Sequence, residues 1–348
     1  VKNGEWYLGY YAYDNLPGAA LTFGREASGM YCLKKPDTTF GEADVGDAPM
    51  PGEDGIRLGR DYQRTATVTF EIGVDGVDRA IDRHYPMRPW GQGARVGEWD
   101  DIEAFRAIVA KRDESPELRA ADGVDLMRQV WRADALRKKA SRVAWLLHAT
   151  GGRTRRLYGR PRKFAVSDSQ LSQQGYTPVV ADFLAVDDRF YDDVEQTAEM
   201  WDYAPGNRPG RPGRPTLPGW GPAPSKKTVT FQQRGKVPTF PVITIHGPCK
   251  NPKVTLTPGL WAVQLSMPIA QDEYVTIDPR PWMRTVLHTA GSSSKSVADK
   301  LTRASPRLAE IYLPPGYWTA ALAYTSASTG RFDGPRVEIK WRNAFAWW

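Results

Sequence analysis

The sequence predicts a mainly β protein: a β-rich α+β N-terminal domain with one or two helices, followed by a C-terminal β-sandwich or jelly roll. Three observations carry this. Short runs that alternate apolar and polar residues recur on both sides of a Pro/Gly-rich segment. Helical spacing of apolar residues is confined to the region 98–133. The length, 348 residues, exceeds what one hydrophobic core usually organises, so the Pro/Gly segment reads as a boundary. The expected organisation is a first domain at 1–203, a linker or arm at 204–227 and a second domain at 228–348.

Each element follows from its local pattern. Residues 5–13 are aromatic-rich and extended in character, and 64–74 alternate so that Ala66, Val68, Phe70 and Ile72 share one face. Between them, 35–60 is rich in Gly, Pro and Asp and reads as a long loop. Trp99, Ile102, Phe105, Ile108 and Val109 fall at helical spacing within 98–112, with Asp100 and Asp101 suited to the positive end of a helix. A second helix is expected near 125–133. Residues 142–149 and 153–166 are two extended runs about Gly151 and Gly152, a hairpin signal, and 177–186 should return beside them. The segment 204–226 holds seven Pro and five Gly; in a polyproline II conformation, with three residues per turn, Arg208, Arg211 and Arg214 would share one edge. Beyond it, strands are expected at 228–233, 241–246, 253–257, 261–265, 274–278, 309–313, 317–324 and 336–341, the profile of a sandwich.

Charge is distributed in blocks. Lys and Arg (47) exceed Asp and Glu (40) by only seven. Yet 1–134 carries 24 acidic and 17 basic residues, 135–166 carries ten basic and none acidic, 167–203 carries nine acidic and one basic, and 204–348 carries 19 basic and seven acidic. Such blocks suit nucleic-acid contact or complementary faces within one assembly. Two cysteines, Cys32 and Cys249, exclude a disulfide-dense scaffold and a thiolate zinc motif. No run approaches the roughly 20 apolar residues that cross a bilayer, and the opening residues lack a signal-peptide pattern. A soluble protein made in a reducing cytoplasm is expected.

Catalytic spacing is missing. His84, His148, His246 and His288 stand apart from one another, without the spacing that puts two imidazoles on one helix face. Neither GxSxG nor GxxxxGK[ST] occurs. The carboxylate pairs Asp100/Asp101, Asp187/Asp188 and Asp192/Asp193 are adjacent residues, which on a strand point to opposite faces and cannot flank one sugar. No catalytic, cofactor-binding or metal-ligating residue is assigned. Trp261 and Trp318 are candidate glycan contacts in the sandwich. Arg153, Arg155, Arg156, Arg160, Arg162 and Lys163 bracket Tyr158 and Phe164, an interleaving that single-strand binding surfaces use. The acidic block that follows would cancel much of that field within a Debye length of about 8 Å, so intramolecular or intersubunit pairing is preferred. The candidate intersubunit contacts are these five arginines, Asp187 and Asp188, the arm's Arg208, Arg211 and Arg214, and the aromatic Trp347 and Trp348, expected to be buried in an assembly or against the sandwich.

The order of segments carries a resemblance. The run 150–164, with Tyr158, Gly159 and Arg160, is followed by 182–193, with Val186, Asp187, Arg189, Phe190 and Tyr191; then come 241–247, 273–280, 308–320 and 337–342. In these pieces, spanning about 136–342, the chain resembles the distal tail proteins of long, non-contractile-tailed bacteriophages (siphoviruses). The resemblance implies a virion structural protein without catalytic residues: a hexameric ring at the distal end of the tail, joining the tail tube to the baseplate or tip. It further implies a ring-forming first domain and a galectin-like second domain that holds receptor-binding and other tail-tip proteins or binds host-surface glycans. A carbohydrate-binding receptor-recognition protein of the tail tip is the alternative.

Overall fold

The computed structural model describes residues 1–42, 44–50, 56–57, 59, 64–77, 115–167, 170–202, 225–325 and 334–348. The helix expected at 98–112, His84, and the arm with Arg208, Arg211 and Arg214 lie outside the described residues. The chain forms two compact units, one of Val1–Asp193 with Trp347–Trp348 and the other of Val194–Ala346.

In the first unit, β1 (Trp6–Tyr10), β2 (Ala19–Phe23), β3 (Met30–Cys32), β4 (Asp37–Phe40) and β5 (Ala66–Asp75) precede helix α1 (Pro116–Arg132). After it come β6 (Ala144–Thr150), β7 (Arg153–Val166), β8 (Tyr176–Ala185) and β9 (Phe190–Asp192). The sheet runs β2-β1-β6-β7-β8-β5-β3, with β4 also on β5 and β9 on β7. Its two ends meet, because Gly24 bridges Tyr31 in parallel and the Gly24 amide donates to the Met30 carbonyl at 2.7 Å. Strand β5 buries Ala66, Val68, Phe70 and Ile72 as its alternation requires. Part of the expected loop at 35–60 is instead structured: Asp37–Phe40 pairs with β5, and Ala48–Pro49 pairs with Ile56–Arg57.

Helix α1 is longer than the periodicity at 125–133 suggested. Ser115 caps it by accepting from the Leu118 amide at 3.3 Å, Pro116 supplies a pre-set φ in the first turn, and Ala133 in the left-handed region ends it. Its apolar side places Met127, Val130 and Trp131 in the core, where Trp131 meets Phe23 and Phe70 edge-on at 5.9 and 6.1 Å. The Trp131 indole N–H donates to the Asp182 carbonyl at 3.0 Å, and the Tyr10 hydroxyl to the Val130 carbonyl at 3.1 Å. Helix and sheet are thereby tied by polar contacts that only one register satisfies.

The second unit contains β10 (Gln196–Trp201), β11 (Thr228–Gln233), β12 (Val242–His246), β13 (Lys253–Thr257), β14 (Trp261–Gln264), β15 (Glu273–Asp278), β16 (Thr285–Ala290), β17 (Ser293–Ser296), β18 (Gly316–Ala323) and β19 (Arg336–Trp341). They form two antiparallel sheets, β10-β19-β12-β15-β16-β17 and β11-β18-β13-β14. Ile243, Ile245, Val275, Ile277, Val337 and Ile339 of the first share one core with Val254, Leu256, Val263, Ala320 and Leu322 of the second. The architecture is a β-sandwich. Residues 309–313, expected as a strand, are not one: Leu308–Glu310 is a 3-10 turn, with the Glu310 carboxylate accepting from the Arg307 amide, and Leu313 makes a single bridge to Thr239.

Candidate functional site

Two of the segments behind the resemblance, 150–164 and 182–193, meet on β7, while the other four belong to the second unit. The hairpin β6–β7 turns at Gly151 and Gly152, with φ of 55° and 76°, the pair of positive values a two-residue turn of this hand needs. Residues 153–159 of β7 pair with β6, and 159–166 pair with β8, so Gly159 is where the strand exchanges partners, opposite both Ala144 and Ala185. A side chain at Gly159 would run into the Leu184 carbonyl and come within 2.8 Å of the Ala185 Cα. Close approach of two backbones requires glycine there.

The second signature element forms the turn from β8 to β9. The Asp187 carboxylate accepts from the Tyr191 hydroxyl at 2.6 Å and from the Arg189 amide at 3.4 Å, while Phe190 between them is fully buried. Burial pushes the Asp187 carboxyl up to about 6, outweighing the hydrogen bond from Tyr191 that favours the anion. Asp188 is half-buried beside it.

Of the five arginines on β7, three are engaged within the first unit. Arg155 is buried and donates to the Trp347 carbonyl. Arg156 pairs with Asp193 and lies over the Tyr158 ring, 5.9 Å from its centroid. Arg160 donates to the carbonyls of Lys139, Ala140 and Arg142 at 2.7, 2.8 and 2.8 Å, clamping the 139–142 loop onto the strand. Arg153 and Arg162 are exposed. These roles explain why a basic run that resembled a nucleic-acid surface is consumed largely by carbonyls and one carboxylate.

The aromatic end of the chain packs in the first unit rather than against the sandwich. Trp348 meets Phe190 at 4.6 Å, Trp6 at 4.9 Å and His148 at 5.3 Å, and His148 stacks on Trp6 at 4.0 Å. Trp347 touches Phe40 and Phe190, each at 5.9 Å, and stays 48% exposed. Burial holds the His148 imidazole below the usual histidine range, with its Nδ1–H donating to the Glu5 carbonyl at 3.2 Å. Two clefts of about 520 and 210 Å³ flank Trp348. Among the described residues their walls carry Lys34, Lys35, Arg153 and Arg155 and no carboxylate side chain, although Lys34 is paired with Asp37 and Glu71 at 3.2 and 2.9 Å. Cys32 lines the larger, where burial pushes its thiol up to about 12 and so disfavours the thiolate. Among the described residues these walls hold no nucleophile and base in register.

Elsewhere, His246 faces Glu338 at 3.6 Å and His288 faces Glu273 at 2.9 Å, separate from each other and from His148. Among the described residues no three His, Cys, Asp or Glu gather as a metal site, and no helix is long and apolar enough to cross a membrane. Trp261, expected as a glycan contact, is instead a core residue, 5% exposed, with its N–H donating to the Tyr312 carbonyl at 2.8 Å. Its alternating neighbours bury it as they do Val263, so no ring face reaches the surface. Trp318 is half-buried and donates to the Pro314 carbonyl at 2.9 Å.

No family model matches the chain, and no curated protein matches it. It is similar in structure to the Dit (gp 19.1) protein of SPP1, described as a paradigm of the hub adsorption apparatus in phages infecting Gram-positive bacteria, with TM-score 0.42, 11% identity and 91% of each chain covered. It is also similar to chains of the phage P2 baseplate in its activated conformation, with Ca (TM-score 0.43, 10% identity, 97% of each chain) and with Sr (TM-score 0.45, 9% identity, 97% of each chain). At these identities and TM-scores, the functional reading rests on this chain's own residues.

Proposed function

We propose that the chain is a structural component of a bacteriophage tail: a ring subunit at the distal end that joins the tail tube to the tip or baseplate and serves as an attachment hub for host-recognition proteins. The observation that carries this is the role of the signature residues. Gly159 permits the partner exchange on β7, and Asp187, Phe190 and Tyr191 lock the turn between β8 and β9. All are architectural, and none presents a reactive group to a cleft. The reading includes a hexameric homo-oligomer from a siphovirus, assembled in the host cytoplasm, with the tail tube protein, a hub protein and receptor-binding proteins as partners, and with no catalytic activity and no specific nucleic acid. A galectin-like second domain belongs to the same proposal.

Cryo-electron microscopy of intact virions tests it directly. Density for this chain in a ring at the tail tip is the expected result; a tail tip without it refutes the reading. Glycan binding by the sandwich is the alternative, and it has lost the Trp261 ring. A glycan array on the full chain should stay blank, and binding abolished by Tyr317→Ala, whose ring is 71% exposed, would restore that alternative.

A further inference from the structure

Exposed charge changes sign once along α1. At its first turns lie Glu117 and, two turns on, Asp125, both exposed, with half-exposed Asp122 between them; Leu118 beside them is 56% exposed. Arg119, the only cation in that stretch, is buried and donates to the Gly76 carbonyl at 2.8 Å. At the other end, Arg137, Lys138 and Lys139 are exposed, and Arg160 clamps the 139–142 loop onto β7, where Arg162 and Lys163, the next residues but one and two, are exposed as well. The charged ends of these five side chains have no ion pair or hydrogen bond to another of the described residues. The 17 residues of α1, at about 1.5 Å each, separate the two poles by about 25 Å.

We propose that these poles are the two halves of a head-to-tail contact, the basic pole of one copy seating on the acidic start of α1 in the next copy. This rests on the ring reading above and names the surfaces that make the ring. Opposite charge at the two ends of one domain makes copies complementary, and of the two arrangements that pair unlike poles, an antiparallel two-fold and a head-to-tail contact, only the head-to-tail one builds the ring of more than two copies on which this proposal rests. Leu118 supplies an apolar centre that association would cover. The cations and Pro161 disfavour backbone pairing along β7, so the contact is made by side chains. Helix-dipole compensation explains Glu117 in the first turn and Arg132 in the last, but not the five cations at 137–139 and on β7, which lie outside the helix.

The test uses two full-length variants. Lys138→Glu/Lys139→Glu/Arg162→Glu makes both poles acidic, and Glu117→Lys/Asp125→Lys makes both basic. Light scattering and native mass spectrometry on each, with circular dichroism as the folding check, should show half-assembly concentrations raised at least about tenfold, and an equimolar mixture of the two should assemble like the wild type. Wild-type assembly should weaken as salt rises toward about 1 M, where the Debye length falls to about 3 Å. Either variant assembling alone as the wild type does overturns the proposal, and so does tight, basic-pole-dependent binding of a DNA oligonucleotide by the wild type. A wild type that never assembles defeats the ring reading itself, an outcome distinct from the other two.

Discussion

Replacing Gly159 by alanine probes the point on which the first unit's sheet depends. The added Cβ would meet the Leu184 carbonyl and stand 2.7 Å from the Phe183 ring edge and 2.8 Å from the Ala185 Cα. Two of these three are backbone atoms of β8, which cannot rotate away, so β7 and β8 must separate. Overpacking of this kind costs about 1–3 kcal/mol, and each ladder hydrogen bond lost adds about 1 kcal/mol. Against this, alanine lowers the entropy of the unfolded chain by about 0.4–1 kcal/mol. The net expectation is a loss of about 3 kcal/mol, which for a unit near 200 residues lowers its melting temperature by roughly 6–12 °C. Differential scanning calorimetry of the full chain measures it, with Gly152→Ala as the control. Gly152 has φ of 76° and open space around it, so it should cost only about 1 kcal/mol. A Gly159→Ala protein melting within about 1 °C of wild type would refute the close-approach argument.

Other predictions follow from single contacts. Because burial raises Asp187 to about 6 from an unfolded value near 3.9, its contribution to stability is fully present below about pH 4 and is lost as pH rises through 6. Urea titrations should show Asp187→Asn gaining on wild type across that window, by up to about 3 kcal/mol, and a difference independent of pH would refute this. Trp348→Ala removes three aromatic contacts and should destabilise the first unit by about 2 kcal/mol, whereas half-exposed Trp347→Ala should cost under about 1 kcal/mol; equal effects in thermal melts would count against the packing described. Trp261→Phe should cost the second unit about 1–2 kcal/mol through the orphaned Tyr312 carbonyl and leave any surface binding unchanged.

Much of the fold was legible because its signals are local. Alternation on β5 and the Gly151-Gly152 turn depend on residues a few positions apart, and both appear where the pattern put them. The start of α1 was equally local: Ser115, Pro116 and Glu117 form a cap signature. Its weak apolar stripe, broken by Gly123 and Asp125, obscured it. Residues 309–313 show the opposite failure, since buried Ile311 and Leu313 mimic strand alternation while the backbone turns. The hairpin β16–β17 was missed because its second strand, Ser293–Ser296, is fully exposed and carries no apolar face to read. Pairing of β10 with β19 joins distant segments and has no local signature. For the site, the basic run was visible, but its division into clamps and exposed cations depends on where the Lys139, Ala140 and Arg142 carbonyls and Asp193 lie in space.

Trp347 and Trp348 belong to the first unit, although the whole of Val194–Ala346 is threaded between them and Asp193. During synthesis, the ribosome must therefore deliver the entire sandwich before the rings that cover Trp6 and His148 emerge. The first unit waits, open on that face, through more than 150 residues of elongation, on the order of ten seconds or more at about 5–20 residues per second. The sandwich, self-contained in sequence, can fold ahead of the unit that precedes it. Completion of the first unit thus reports that translation has run through the second, and a chain that stops short of Trp347 would present an uncovered aromatic face in place of a filled seat.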